Sequence, residues 1–489
     1  MITDESVSSP GFEGSAGAGL AGVAFAGAGL AAAGLAAAGF GFEAAGLGVV
    51  SWPESIAASE REAAEQPSAF FQEFFTDSSL PQEPKIPLIP HTILCIASYE
   101  KGHAFLRRAK QEGARVLLLT SHSLKDSAKW PRESIDEIFY MPDVNKRWDR
   151  TSTLHAVAYL ARTEKIERLV PLDDFDLEMA AFLREHLRIP GMGETTTRYF
   201  RDKLAMRMKA QSKGLSIPDF VPVLHHQTIH EFTLRVPSPW LLKPRFMAGA
   251  IGIKKCHTAE ELWGYINGLG DEQSYYLVER FVPGDICHVD SIVYEDEILY
   301  AVASRYGRPP LDVSQGGGIF TTRLLERGSP VEHGLLQKNK LVLQSLGLKR
   351  GVSHTEFILS RDDGKVYFLE TSARVGGAHI ADLIESATGL NMWSEWAKIE
   401  IAGGEEPYTP PAPRQDYAGL LVSLARQEHP DLSHYTDPEI AWRMEKKNHV
   451  GLIVRSPSYE RVTYLLDDYA RRFQEDFYAF LPPRESPAD

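Results

Sequence analysis

At 489 residues, with 43% hydrophobic and 24% charged side chains, the chain is long enough for two to four packed units of an ordinary soluble kind. A net charge of −14 argues against general affinity for nucleic acid or anionic membranes, which needs clustered Lys and Arg. Three widely spaced cysteines (Cys95, Cys256, Cys287) with no CxxC pair argue against a disulfide framework or structural zinc, and the chain reads as reducing and cytoplasmic.

Residues 1–50 are dominated by Ala, Gly and Leu, and no Lys or Arg occurs before Arg61. The stretch is weakly hydrophobic and has no basic n-region, so a low-complexity extension is expected, with a membrane segment the lesser alternative. Residues 51–90 read as a short helix followed by a proline-rich linker.

From His91 strand and helix patterns alternate: HTILCIAS, GHAFLRRAKQEG, ARVLLLTS, EIFYMP, TSTLHAVAYLARTE, ERLVPLDD and DLEMAAFLREHL. This predicts an open parallel α/β domain over 91–197. Its first turn, SYEKGHAF, lacks GxGxxG, which leaves a dinucleotide-binding dehydrogenase without support. Asp173, Asp174 and Asp176 follow a strand at the edge where such sheets bind ligands, although residues so placed more often serve as turn and helix caps.

A basic helix follows in RDKLAMRMKAQSKG, then strand, loop and strand in PWLLKPRFMAGAIGIKKC. Lys243 stands at the strand end, with Gly249 and Gly252 in a loop suited to close approach by phosphate. LVERFV is apolar around Glu279, and His288 and Asp290 share one face of the next strand. A solvated face or a ribose or metal contact would each fit that pair. RYGRPPLDVSQGGGIFTTR predicts a long binding loop between Arg305 and Arg323.

In SHTEFILSRDDGKVYFLETSARVGGAHI two apolar runs flank a turn, predicting a hairpin with a three-residue Asp362-Asp363-Gly364 loop. Counting outward, Arg361 pairs with Lys365 and Glu356 lies opposite Glu370. Like charges so placed call for a cation unless the hairpin is an exposed one. Mg²⁺ with nucleotide phosphates suits two carboxylates, and Arg374 and Gly376-Gly377 ahead of a helix add an anion site. Residues 403–489 read as a small C-terminal domain.

Taken in order, these features resemble the ATP-grasp superfamily of carboxylate-activating ligases: an α/β domain, a DK helix, a KP strand with glycine loop, E-x-x-V, HVD, and two glutamates ending in E-x-x-x-R-x-G-G. The resemblance covers about 91–402, with 198–402 as the ATP-grasp domain. It implies a multidomain α/β and α+β chain binding ATP and Mg²⁺, with Mn²⁺ as a substitute, and acting on small-molecule carboxylate and amine substrates. Amino-acid ligases look closest and biotin-carboxylase-like enzymes second, and a homodimer is compatible with either.

By the same resemblance Lys203 and Lys243 contact ATP phosphates under the loop holding Gly249 and Gly252. Glu279, Phe281 and Val282 form the adenine hinge, and Arg374 faces the γ-phosphate or acyl phosphate. Glu356 and Glu370 hold the metal. Two positions depart from the pattern: Ser372 stands where many members have a ligating Asn, and Ile286 where many have Glu. Ser372 would then ligate weakly, and ribose recognition passes to Asp285 or His288. Arg305, Gly317, Arg323, Gly377 and His379 are candidate substrate contacts. The contrasting expectation is a nucleotide-binding regulatory or scaffold protein whose altered metal site no longer turns over.

Overall fold

The computed structural model describes residues 91–481. The expectations for 1–50 and 51–90 lie outside the described residues. Among the described residues no helix is long and apolar enough to cross a membrane.

The first sheet is parallel and four-stranded, from β1 (Thr92–Ala97), β2 (Arg115–Ser121), β3 (Glu137–Met141) and β4 (Arg168–Pro171) in the order β3-β2-β1-β4. β1 and β4 are buried along their whole length, which is why β1 reads as a nearly continuous apolar run rather than an alternating one. Helices His103–Gln111, Arg150–Leu160 and Leu177–Leu187 connect and cover these strands. The turn leaving β4 carries Asp173, Asp174 and Asp176, all buried.

The second sheet is small and antiparallel, built from β5 (Phe220–Pro222), β6 (Trp240–Pro244), β7 (Lys254–Cys256) and β8 (Tyr276–Arg280) in the order β5-β8-β6-β7. The third has eight antiparallel strands: β9 (Gly284–Tyr294), β10 (Glu297–Tyr306), β11 (Phe320–Leu324), β12 (Gly351–Ser360), β13 (Val366–Ser372), β14 (Tyr417–Leu424), β15 (Ile440–Arg443) and β16 (His449–Ser456). Their order is β13-β12-β9-β10-β11-β14-β16-β15. The C-terminal segment expected to stand alone therefore continues the central sheet, because β14 pairs with β11. It keeps its own apolar cluster, in which Leu465, Tyr469 and Phe473 of helix Tyr459–Asp476 pack on Leu421 and Leu452.

The stretch expected as a long loop between Arg305 and Arg323 contains a short helix, Pro310–Gly316, begun by proline at its first position. Helix Ile380–Thr388 ends where expected, at Gly389 with φ of +79°.

Candidate active site

The hairpin of β12 and β13 places Glu356 directly opposite Glu370, as the count predicts, but by another route. The loop has four residues, not three. Ser360 N–H donates to the Lys365 carbonyl at 2.9 Å and Gly364 N–H to the Ser360 carbonyl at 3.1 Å, with Gly364 at φ +67°. Leu359 thus faces Val366, one residue out of the expected register, until a bulge at Leu369 restores it before Glu370.

Each glutamate has a different companion. Lys203 Nζ lies 2.8 Å from Glu370 Oε2 and donates to the Met247 carbonyl at 2.7 Å. This lysine opens helix Lys203–Ser212, whose cap, Asp202, is gripped by Arg245 just beyond β6. Glu356 accepts the Tyr306 hydroxyl at 2.8 Å through Oε1, the oxygen 3.5 Å from His354 Nε2. Among the described residues its second oxygen accepts no hydrogen bond, and Glu370 is met by Lys203 through Oε2. Hard oxygen donors facing one another in this way fit a divalent cation such as Mg²⁺.

Behind Glu356 lies a buried chain. His354 Nδ1 meets Asp290 Oδ1 at 2.9 Å, and Asp290 Oδ2 meets His288 Nδ1 at 2.7 Å. Thr322 closes the chain on His288 Nε2 at 2.8 Å. Burial opposes charge on His354, but Asp290 and Glu356 outweigh it and push the imidazole up to about 9. Burial likewise opposes charge on Asp290, yet His354 and His288 hold its carboxyl well below the usual carboxylate range.

Lys243 on β6 is buried and meets Glu279 Oε1 at 2.5 Å, while Arg207 Nε meets Glu279 Oε2 at 2.7 Å. Burial lowers the lysine against the pull of Glu279. Two cations share one anion, leaving a net positive charge in an enclosed place. A cavity of about 340 Å³ brings together Lys203, Lys243, Glu356, Glu370 and Arg374, with Met247–Ile251 along one side and Glu279–Val282 along another. Arg374 Nη1 donates to the Val375 carbonyl at 2.8 Å, and its Nε lies 3.8 Å from Asp174 Oδ1.

No family model matches the chain. Over 273 residues, 54% of its length, it is 25% identical to the L-arginine-specific L-amino acid ligase of Bacillus subtilis, and it spans 64% of that relative's length. The L-amino acid ligase from Bacillus licheniformis superposes with a TM-score of 0.62 at 17% identity, over 80% of this chain and 98% of that one. Carboxyaminoimidazole ribonucleotide synthase from Aspergillus clavatus, complexed with ATP, gives 0.60 at 12% identity over 78% and 99%. Phosphoribosylglycinamide synthetase from Anaerococcus prevotii gives 0.57 at 14% identity over 80% and 100%. The chain has the ATP-grasp fold.

Within the ATP-grasp fold, Lys203, Lys243, Gly249, Glu279, Phe281, Val282, Glu356, Glu370, Arg374 and Gly377 line the same cavity. Glu279 is spent on Lys243 and Arg207, so it holds the lysine rather than a base. Phe281 N–H already donates to the Pro239 carbonyl at 3.0 Å.

Other expectations need correction. Gly252, at φ +74°, sits in the glycine loop but packs toward Pro244 instead of lining the cavity. His288 is fully buried between Asp290 and Thr322, which leaves no ring nitrogen for ribose. Asp285, Arg305 and Arg323 fall on the opposite face of the sheet from His288 and Glu356, as period-two alternation requires. There Asp285 pairs with Arg305 and Arg361, and Arg323 reaches the Tyr459 hydroxyl. Gly317 abuts Tyr478 and Phe480. His379 pairs with Asp382 at 2.8 Å, its ring against Trp442. Ser372, on the same face as Glu370 and opposite His354, donates its hydroxyl proton to Asp174.

Sequence reasoning missed Tyr306 and His354. The histidine was legible: it stands two residues before Glu356 on one strand and so shares its face.

Proposed function

We propose that the chain is an ATP- and Mg²⁺-dependent, ADP-forming ligase that activates a carboxylate as an acyl phosphate and joins it to an amine, with amino acids as substrates. The observation that carries this reading is the facing pair Glu356 and Glu370, set with Lys203, Lys243 and Arg374 around one cavity. The names of the relatives, L-amino acid ligases among them, support the substrate class.

Phosphoryl transfer of this kind needs in-line positioning and neutralised charge, and no protein nucleophile. The substrate carboxylate attacks the γ-phosphorus, the bond to the β–γ bridging oxygen breaks, and ADP leaves. An amine then attacks the acyl carbon, loses a proton and displaces inorganic phosphate. Lys243 and Lys203 bind phosphate oxygens, and Arg374 neutralises the transferring group. Glu356 and Glu370 would hold Mg²⁺, which supplies charge neutralisation at the phosphates. The cysteines have no part: Cys95 and Cys256 are fully buried, and burial pushes the Cys287 thiol up to about 12.

Ser372, a weaker ligand than Asn and with its proton given to Asp174, favours a second reading, a nucleotide-binding protein without turnover. Phosphate release from ATP and Mg²⁺ against pooled amino acids and small carboxylates separates the two, with Glu370→Gln as control. Release that requires both a pool and Glu370 supports the ligase. Bound ATP with no release from any pool sinks it in favour of the second reading.

A further inference from the structure

Asp174 is the point at which the parallel sheet touches the chemistry. It lies in the turn after β4 and is buried, with only 7% of its surface exposed. Its Oδ2 lies 3.0 Å from Arg201 Nη1, a pairing that would by itself balance the charge. Its Oδ1 is nevertheless met twice from the hairpin side, by the Ser372 hydroxyl and by Arg374 Nε at 3.8 Å. Burial opposes charge on this carboxyl, and Arg201, Arg374 and Ser372 together hold it below the usual range. On Arg374 the carboxylate lies beside Nε at ion-pair distance and the Val375 carbonyl holds Nη1, while Nη2 has no partner among the described residues and the side chain borders the cavity.

We infer that Asp174 is a positioning residue for the ligase reaction proposed above, on which this inference rests: braced by Ser372, it fixes the Arg374 guanidinium with one edge turned to the transferring phosphoryl group. A guanidinium on a long flexible stem is useful in a transition state only when its direction is fixed beforehand. Ser372 pins the last residue of β13, two residues before Arg374, so the segment carrying the arginine is held at both its root and its head. The position that would carry a ligating Asn is used here for that brace.

The test measures amino-acid-dependent ADP formation for Asp174→Asn, Arg374→Lys and the double variant, with thermal melting of each. Asp174→Asn should lower kcat about 10- to 100-fold and leave KM for ATP within about threefold. In the Arg374→Lys background the same change should cost less than about twofold, because the two act as one unit. A kcat within twofold of the unaltered chain, or losses that simply add, would overturn the assignment. If Asp174→Asn does not fold, Ser372→Ala takes its place, with kcat expected to fall about 3- to 10-fold and an unchanged kcat contradicting the brace. Should the unaltered chain form no ADP, the ligase reading fails by itself, and Asp174 is judged by the ¹⁵N signal of the Arg374 Nε–H. That signal should be sharp in the unaltered chain and broadened in Asp174→Asn; identical signals would overturn the positioning role.

Discussion

Single side chains in this cavity are held by groups that a ligand must share or displace. Lys243 is gripped by a carboxylate that also holds Arg207, so removing the lysine's charge leaves Glu279 paired. Lys243→Met should therefore weaken ATP binding by about tenfold or more while shifting the melting temperature little, a contrast that calorimetry and thermal melting can check. His354 behaves in the opposite sense, because its charge is part of the fold. Its imidazole is raised to about 9, so the stability it contributes is fully present below the unfolded value near 6.5 and is lost as pH rises through about 9. The upper bound is about 3 kcal/mol. Urea midpoints should fall between pH ~6 and ~9.5, and His354→Asn should flatten that slope; a slope unchanged in the variant would contradict the assignment.

At the scale of elements, the hairpin separates what was legible from what was not. Alternation and turn chemistry placed β12 and β13, the glycine at positive φ and the glutamate pair. The four-residue loop and the bulge at Leu369 were hidden, since each shifts register by one and the two shifts cancel at Glu370. The same alternation put Asp285, Arg305 and Arg323 on the far face, a reading open to the sequence once Glu356 is taken as the reference. Partners from distant segments were not legible: the grip of Asp174 on Ser372 and Arg374 needs two sheets to meet. Gly364→Ala should cost roughly 1 kcal/mol in denaturant unfolding, the strain of a side chain at φ +67°. It should leave ATP affinity unchanged, because the bulge sits between that loop and Glu370.

For the whole molecule, the central sheet runs without interruption from β13 to β15. A chain ended at Ala402 would bare the β11 edge and lose the cluster around Leu421, Leu452 and Tyr469. Such a chain should aggregate rather than bind nucleotide, which size-exclusion chromatography and circular dichroism can determine. A soluble, ATP-binding product would show that residues 403–489 form a separable domain.

The bond between Ser372 and Asp174 spans 198 residues of sequence. During synthesis the parallel sheet emerges first, with a carboxylate whose hairpin partners do not yet exist. At ordinary elongation rates the interval is about 10–40 s, longer than most small domains need to fold. Asp174 must therefore wait in water or against Arg201 alone. The β4 turn and the hairpin should thus gain protection from hydrogen exchange late and together, as one cooperative unit assembled from two distant segments of the chain.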